Sequence, residues 1–470
     1  MDLGLHRVHA LLQRLGLPQA LFPVIHVAGT NGKGSTTAYL DVLLTHAAGL
    51  RAARFNSPHL MSTRDSVRIA GGEPIDEQTW TLARQRVQAA DEAADAIRAT
   101  PFELLTAQAL VAFTMLPDST RPQVLVIEVG VGGRLDATNV FPSENVLASV
   151  ICPIARDHEQ LLGSGLAAIT REKAGIIKES GLCVVADQTP PQGGEPDPEI
   201  IASLKAECAA KKARTAYVSV PWGTMRVAPR VPVGASAKFG LALAPTSGVT
   251  GPAPPTIPLD LEYTQARVAG CATALQTLWS IAHDQPGPST PAAAHVRSRI
   301  RAMFEQGTPS IQSALTHFRW EGRCEWVMLG DTPVLLDGAH NEASAQALRS
   351  YLDACGDAYN NTTWVMAISQ GKAADAMFDA LFTKGRHRVA FVPFSKVDGM
   401  PWVRPAVPEE LAEQVLHNAD WPVDEAKAFS TLAQALEWAK SGSAHVVVCG
   451  SLYLVSDFYR TVIDSCAPVH

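Results

Sequence analysis

His26-Val27-Ala28-Gly29-Thr30-Asn31-Gly32-Lys33-Gly34-Ser35-Thr36 is the stretch on which the reading of this chain turns. The apolar run 22–27 has the length of a buried strand, and a helical pattern follows over 35–47, so the glycines fall in a strand-to-helix loop. Such a loop aims backbone amides and the positive end of a helix at an anion. Lys33 adds a point charge suited to β and γ phosphates. The strict Walker pattern is not met, because Val27 stands where its first glycine belongs and Gly34 follows the lysine in place of Ser or Thr. An ordinary glycine-rich turn would explain Gly29 and Gly32 but not a lysine and hydroxyls at the helix start. A nucleoside triphosphate is therefore expected on Gly29, Thr30, Asn31, Gly32, Lys33, Gly34 and Ser35.

Working outward, continuous apolar runs at 124–129, 146–151 and 182–185 suit a mostly parallel sheet covered by helices on both faces, an α/β fold. The first fifteen residues space apolar side chains as an amphipathic helix. Prolines and glycines are dense at 189–198 and 221–258, which reads as loop-rich excursions. Helical pattern returns over 265–282, and 284–291 has the composition of a linker. Beyond Arg323 a second α/β pattern begins, with strands at 334–337, 364–367, 389–392 and 446–449 and a helix at 344–352. The expected organisation is an ATP-binding-type domain at 1–300 and a smaller, doubly wound (Rossmann-like) domain at 301–470.

Composition narrows the function classes. The chain has 470 residues, enough for two or three domains, with 47% hydrophobic and 18% charged residues. A net charge of -7 gives no overall footprint for nucleic acid or an anionic membrane. The 8 cysteines form no close CxxC pair, so neither a zinc site nor a redox motif is indicated. No signal-type segment opens the sequence and no run approaches a membrane span, so a cytoplasmic location is expected.

Further segments share an order with the phosphate loop. They are Ser57-Pro58-His59-Leu60 with Arg64, Phe102-Glu103 with Thr106, and Glu128-Val129-Gly130-Val131-Gly132-Gly133-Arg134-Leu135-Asp136-Ala137-Thr138-Asn139. Asp157-His158, Glu172-Lys173-Ala174-Gly175-Ile176, Gly322-Arg323, Asp337-Gly338-Ala339-His340-Asn341 and Gly450-Ser451-Leu452-Tyr453 follow. Together they resemble the folate branch of the Mur ligase superfamily, the dihydrofolate synthases and folylpolyglutamate synthases, along almost the whole chain.

That resemblance implies an ATP-dependent ligase that activates a carboxylate as an acyl phosphate and joins it to the amine of glutamate. It implies Mg²⁺ on Ser57, Glu128 and His158, and a catalytic group of Lys33, Lys173 and His158, with Lys173 carbamylated. A carbamate forms only on a neutral amine, so it calls for a lowered pKa. Gln265, Arg323 and Asp337 are implied on the nucleotide, although Gln265 replaces the family's asparagine. Phe102, Glu103, Leu135, Asp136 and Ala137 are implied on the pterin substrate, and His340 and Ser451 on glutamate. Read alone, Asp136 suits a turn residue, and Ser57 and His158 suit a helix cap and a satisfied core histidine.

The opening residues Leu3 to Arg7 and the stretch 394–402 are similar to monofunctional fungal members, which implies dihydropteroate as acceptor. Extension of a reduced folate remains the alternative. Small-molecule substrates, a monomer, no nucleic acid and no membrane are the expected partners. A phosphate-loop regulator would need Lys33 and Ser35 but not Glu128, His158 and Lys173 together. A dinucleotide oxidoreductase would use Gly130, Gly132 and Gly133, which form no GxGxxG opening a helix.

Overall fold

The computed structural model describes residues 4–93, 95–190, 194–229, 234–284, 287–372, 374–397, 403–442, 445–462 and 466–468. The first sheet has eight strands in the spatial order Glu73–Pro74, Val67–Ile69, Ala52–Phe55, Val124–Glu128, Val24–Ala28, Val146–Ile151, Leu182–Val185 and Arg214–Tyr217. Six of these run parallel, from Ala52–Phe55 to Arg214–Tyr217, and the first two add antiparallel at one edge. The central strands are buried along their whole length, which is why they appear in the sequence as unbroken apolar runs.

Helices cover both faces. The opening helix His6–Arg14 buries Val8, Leu11 and Leu12 against the layer that contains Pro101–Met115. That second helix starts from a capping box in which Thr100 accepts from the Glu103 amide and Glu103 accepts from the Thr100 amide. On the other face the phosphate-loop helix Lys33–Val42 packs beside Gln265–His283.

The second sheet has seven strands, in the order Val423–Ala428, Arg386–Phe391, Asn361–Met366, Val446–Cys449, Thr332–Leu336, Glu325–Leu329 and Cys466–Pro468. Its first five are parallel and the last two antiparallel. The α/β expectation holds for both sheets.

Two segments differ from expectation. Within 221–258, expected as loop, lie the strands Arg226–Pro229 and Ala235–Ala242 and the start of Thr256–Glu262, which together make a three-stranded antiparallel sheet. The alternation is present, since Ala235, Ala237, Phe239 and Leu241 face inward, but alanines, Gly240 and Pro258 disguise it. After residue 284 come two helices, Pro291–Gln306 and Thr308–Leu315, and the latter packs against the end of the phosphate-loop helix. The chain therefore stays with the first sheet's layers past residue 300 and crosses at 316–323.

Candidate active site

Strand ends of both sheets meet at one cleft of about 590 Å³, those of Thr332–Leu336 and Val446–Cys449 from the second sheet. Ligands in open α/β sheets bind at the carboxyl ends of strands, and here two such ends face each other.

The phosphate loop follows strand Val24–Ala28. Gly29 has φ +146, and a side chain there would collide with Cys152, so only glycine lets the loop turn this close to the neighbouring strand end. The Thr30 and Asn31 amides donate to the Pro153 carbonyl at 2.9 and 3.2 Å, and Thr30 Oγ1 bridges to Ala155. Gly32 then leads into the helix at Lys33, whose first-turn amides face the cleft as orphan donors. Lys33 Nζ donates to the Gly29 and Thr30 carbonyls at 3.1 and 3.2 Å and lies 3.9 Å from Glu128 Oε1.

Glu128 closes its strand as a buried carboxylate. Burial raises its pKa, while Lys33 and the Asn56 amide, 2.7 Å from Oε2, act in the opposite sense. Asn56 was not singled out from sequence, although it directly precedes Ser57. Ser57 and His158 line the same cleft as Glu128. Burial lowers the His158 pKa and leaves a neutral ring, against the pull of Asp157, whose Oδ2 is 3.7 Å away.

Among the described residues no group of three or more His, Cys, Asp and Glu side chains sits as a ready cation cage. A divalent ion on Glu128, Ser57 and His158 would take its remaining ligands from phosphate and water, which suits a hard ion such as Mg²⁺ except for the imidazole. The residues present fit such an ion, with Glu128 as the anionic member.

Lys173 lies directly beneath the loop, with Nζ donating to the Gly29 carbonyl at 2.9 Å. Its pKa is pushed down to about 7, first by burial and then by the Lys33 charge.

From the second sheet, Arg323, Asp337 and His340 reach the cleft wall, and Gln265 meets them from the start of its helix. Asp337 accepts from the Cys324 and Ala339 amides, each at 2.8 Å, and burial raises its pKa. Asn341, not Asp337, caps the following helix Glu342–Cys355. His340 donates from Nδ1 to the Gly338 carbonyl at 2.9 Å, and burial pushes its pKa down to about 4, leaving Nε2 as a neutral acceptor.

Several implied residues are not brought to the cleft wall. Asp136 is buried and accepts from the Val131 amide at 2.9 Å, the Thr138 amide at 3.0 Å and Thr138 Oγ1 at 2.5 Å, so its carboxylate braces its own loop. Glu103 is engaged by the Thr100 amide and by Arg7 Nε at 3.0 Å. Phe102 rests on Gly130, which does line the cleft, while Leu135 and Ala137 flank Asp136 behind it. Ser451 Oγ accepts from the Tyr453 amide at 3.1 Å at the start of helix Leu452–Val462. Of 394–402, residues 398–402 lie outside the described residues. Trp222 and Trp320 also line the cleft, and nothing in a single sequence marks them beyond Trp320 preceding Gly322-Arg323.

Residues 325–461 match the family model described as the C-terminal domain of dihydrofolate synthetase. The chain is 32% identical to a probable dihydrofolate synthetase of Schizosaccharomyces pombe over 98% of both chains, and 30% identical to the dihydrofolate synthetase of Saccharomyces cerevisiae, again over 98% of both. Its fold is similar to that of a bifunctional folylpolyglutamate synthase/dihydrofolate synthase crystallised with Mn, AMPPNP and L-glutamate, with a TM-score of 0.70, 26% identity, and 98% and 95% of the two chains covered. On these grounds, and with its motifs gathered at one cleft, the chain belongs to the folylpolyglutamate synthase/dihydrofolate synthase family.

Proposed function

We propose that this cleft joins L-glutamate to 7,8-dihydropteroate at the expense of ATP, giving 7,8-dihydrofolate, ADP and phosphate. The observation that carries the reading is the meeting of Lys33 and Glu128 on the first sheet with Arg323, Asp337 and His340 on the second, around one cleft. Full-length similarity to two dihydrofolate synthetases supports the choice of acceptor, and the nucleotide and glutamate named for the crystallised relative support the co-substrates. Folylpolyglutamate synthesis is the second reading, since the crystallised relative carries both names.

The γ-phosphoryl group passes to the pteroate carboxylate, and ADP leaves. The glutamate amine, as the free base, then attacks the acyl carbon, phosphate departs with the C–O bonding electrons, and the surplus proton on nitrogen passes to the phosphate or to solvent. Loop amides and Lys33 hold the phosphates, and Arg323 adds positive charge from the opposite wall, so developing charge meets fixed donors. A divalent cation, Mg²⁺ in this reading, would sit on Glu128, Ser57 and His158 and screen the phosphate oxygens when bound. Lys173, with a pKa of about 7, has a neutral fraction able to take up CO₂ at neutral pH, which supports its carbamylation. The resulting anion would orient the cation or Lys33. Closure of the second sheet over the first would keep water from the acyl phosphate.

In this proposal the chain is a monomer in the cytoplasm. Cys152, Cys183, Cys208, Cys271, Cys324, Cys355 and Cys449 are buried and free, which suits a reducing compartment, and no described helix is long and apolar enough to cross a membrane. Dihydropteroate labelled with ¹⁸O in its carboxylate tests the chemistry. Transfer of one label into the released phosphate is the expected result, and unlabelled phosphate accompanying dihydrofolate formation would remove the acyl phosphate from the account.

A further inference from the structure

The segment that crosses between the two sheets is not slack. Residues 316–320 run back along the phosphate-loop helix, each inward ring meeting a partner. His317 stacks on His46 with centroids 4.2 Å apart, and Phe318 lies on Tyr39 at 3.8 Å with the rings 13° from parallel. Trp320 arrives at the start of the helix, where its ring fills the space beside Gly34 that a side chain would need. The Arg54 guanidinium lies over the same indole, 4.5 Å from its centroid, and Arg54 Nε is 3.2 Å from Asp41 Oδ2 on the helix itself. The crossing segment is thus fastened by three rings to the phosphate-loop helix and its continuation Leu43–Ala47, the last ring at the phosphate loop.

Immediately afterwards the chain changes partner. Gly322, at φ +65, lies against Val455 of the second sheet's last helix, and Cys324 is also left-handed at φ +47. Arg323, between them, rests against Gly338 beside Asp337. Only Glu321 and Gly322 separate the ring fastened to the phosphate loop from the arginine at the opposite wall. The same contact accounts for Gly34, where the Walker pattern has Ser or Thr: the position is occupied by the Trp320 ring.

We infer that Trp320 is a positioning residue, whose indole, clamped between Arg54 and Gly34, fixes the crossing segment to the phosphate loop and so sets where Arg323 meets the nucleotide's phosphates. The inference rests on reading the cleft as the ATP site. It differs from a packing role because its effect must pass through Arg323.

The test is a double-mutant cycle on ADP binding, measured by calorimetry on the full chain so that no acceptor is involved. Arg323→Ala is expected to weaken ADP by about tenfold or more, the loss of a charge-assisted contact. Trp320→Ala is expected to weaken ADP by a similar factor, Trp320→Phe to retain affinity within about threefold, and the Trp320→Ala/Arg323→Ala pair to be no worse than Arg323→Ala within about twofold. Should the alanine variant fail to fold, Trp320→Leu fills the space without an aromatic face and takes its place in the cycle. Additive losses, or full affinity in Trp320→Ala or Trp320→Leu, overturn the inference while leaving the nucleotide site in place. Absence of ADP binding by the unaltered chain overturns the nucleotide reading and this inference with it.

Discussion

His26, on the strand that leads into the phosphate loop, is fully buried and bonds through Nε2 to Thr138 Oγ1 at 2.9 Å, and Thr138 in turn donates to Asp136. Burial pushes the His26 pKa down to about 3, with a smaller contribution from Lys178. The unfolded chain, with an ordinary histidine near 6.5, therefore binds one more proton between about pH 3 and 6.5. Stability from this group is complete above about 6.5 and falls as pH drops, by up to about 1.4 kcal/mol per unit. Denaturant titrations of the unaltered chain and of His26→Asn at pH 5 and 7 check this: the variant should have the shallower acid limb, and parallel slopes would contradict it. Lys173 gives a second prediction, on activity rather than stability. Because its amine becomes neutral above about 7, activity at fixed bicarbonate should rise with pH through that value. Lys173→Ala should lose most activity and recover part with a small added carboxylate, and a pH profile in the unaltered chain independent of bicarbonate would remove the carbamate.

At the scale of elements, the helix Pro101–Met115 depends on its start. Thr100→Ala removes one side of the capping box and should cost about 1 kcal/mol in unfolding free energy, with the nucleotide KM unchanged; a nucleotide KM change without a stability loss would contradict a purely local role. The buried parallel strands were legible because burial on both faces makes them continuous apolar runs: Val146–Ile151, Leu182–Val185 and Val446–Cys449 were read with their observed ends. The antiparallel sheet was not legible, since its inward positions include Ala235 and Ala237, and Pro258 pairs opposite Gly240. Val423–Ala428 was missed for a related reason, being an edge strand of mixed polar composition. Residue-level reading also placed Asp136 and Ser451 on ligands by motif alone. A sequence does not show which local amides a carboxylate or hydroxyl meets, as Asp136 meets those of Val131 and Thr138 and Ser451 that of Tyr453 here.

Across the whole molecule, the two sheets are tied at the cleft's rim as well as through the crossing segment. Lys372 Nζ lies 3.5 Å from Asp157 Oδ1, and Arg267 donates to the Arg323 carbonyl at 3.3 Å. Burial alone would raise the Asp157 pKa, but His158, Lys372 and His340 outweigh it and hold the carboxylate below its ordinary range. A partly exposed pair of this kind is worth less than about 1 kcal/mol to folding, so Lys372→Ala should leave thermal stability nearly unchanged while lowering kcat. A stability loss with intact kcat would assign the pair to structure alone. The phosphate loop was legible from local spacing, whereas the cleft's second wall, which begins almost three hundred residues further along the chain, was reached only through the family resemblance.

Phosphate release dependent on ATP and Mg²⁺ with L-glutamate present, measured in parallel on dihydropteroate and tetrahydrofolate with Lys33→Ala as the blank, decides what this cleft does. Turnover on dihydropteroate and little on tetrahydrofolate is the expected result. Turnover on tetrahydrofolate alone would contradict the choice of acceptor, and turnover on neither would contradict the ligase reading of the cleft.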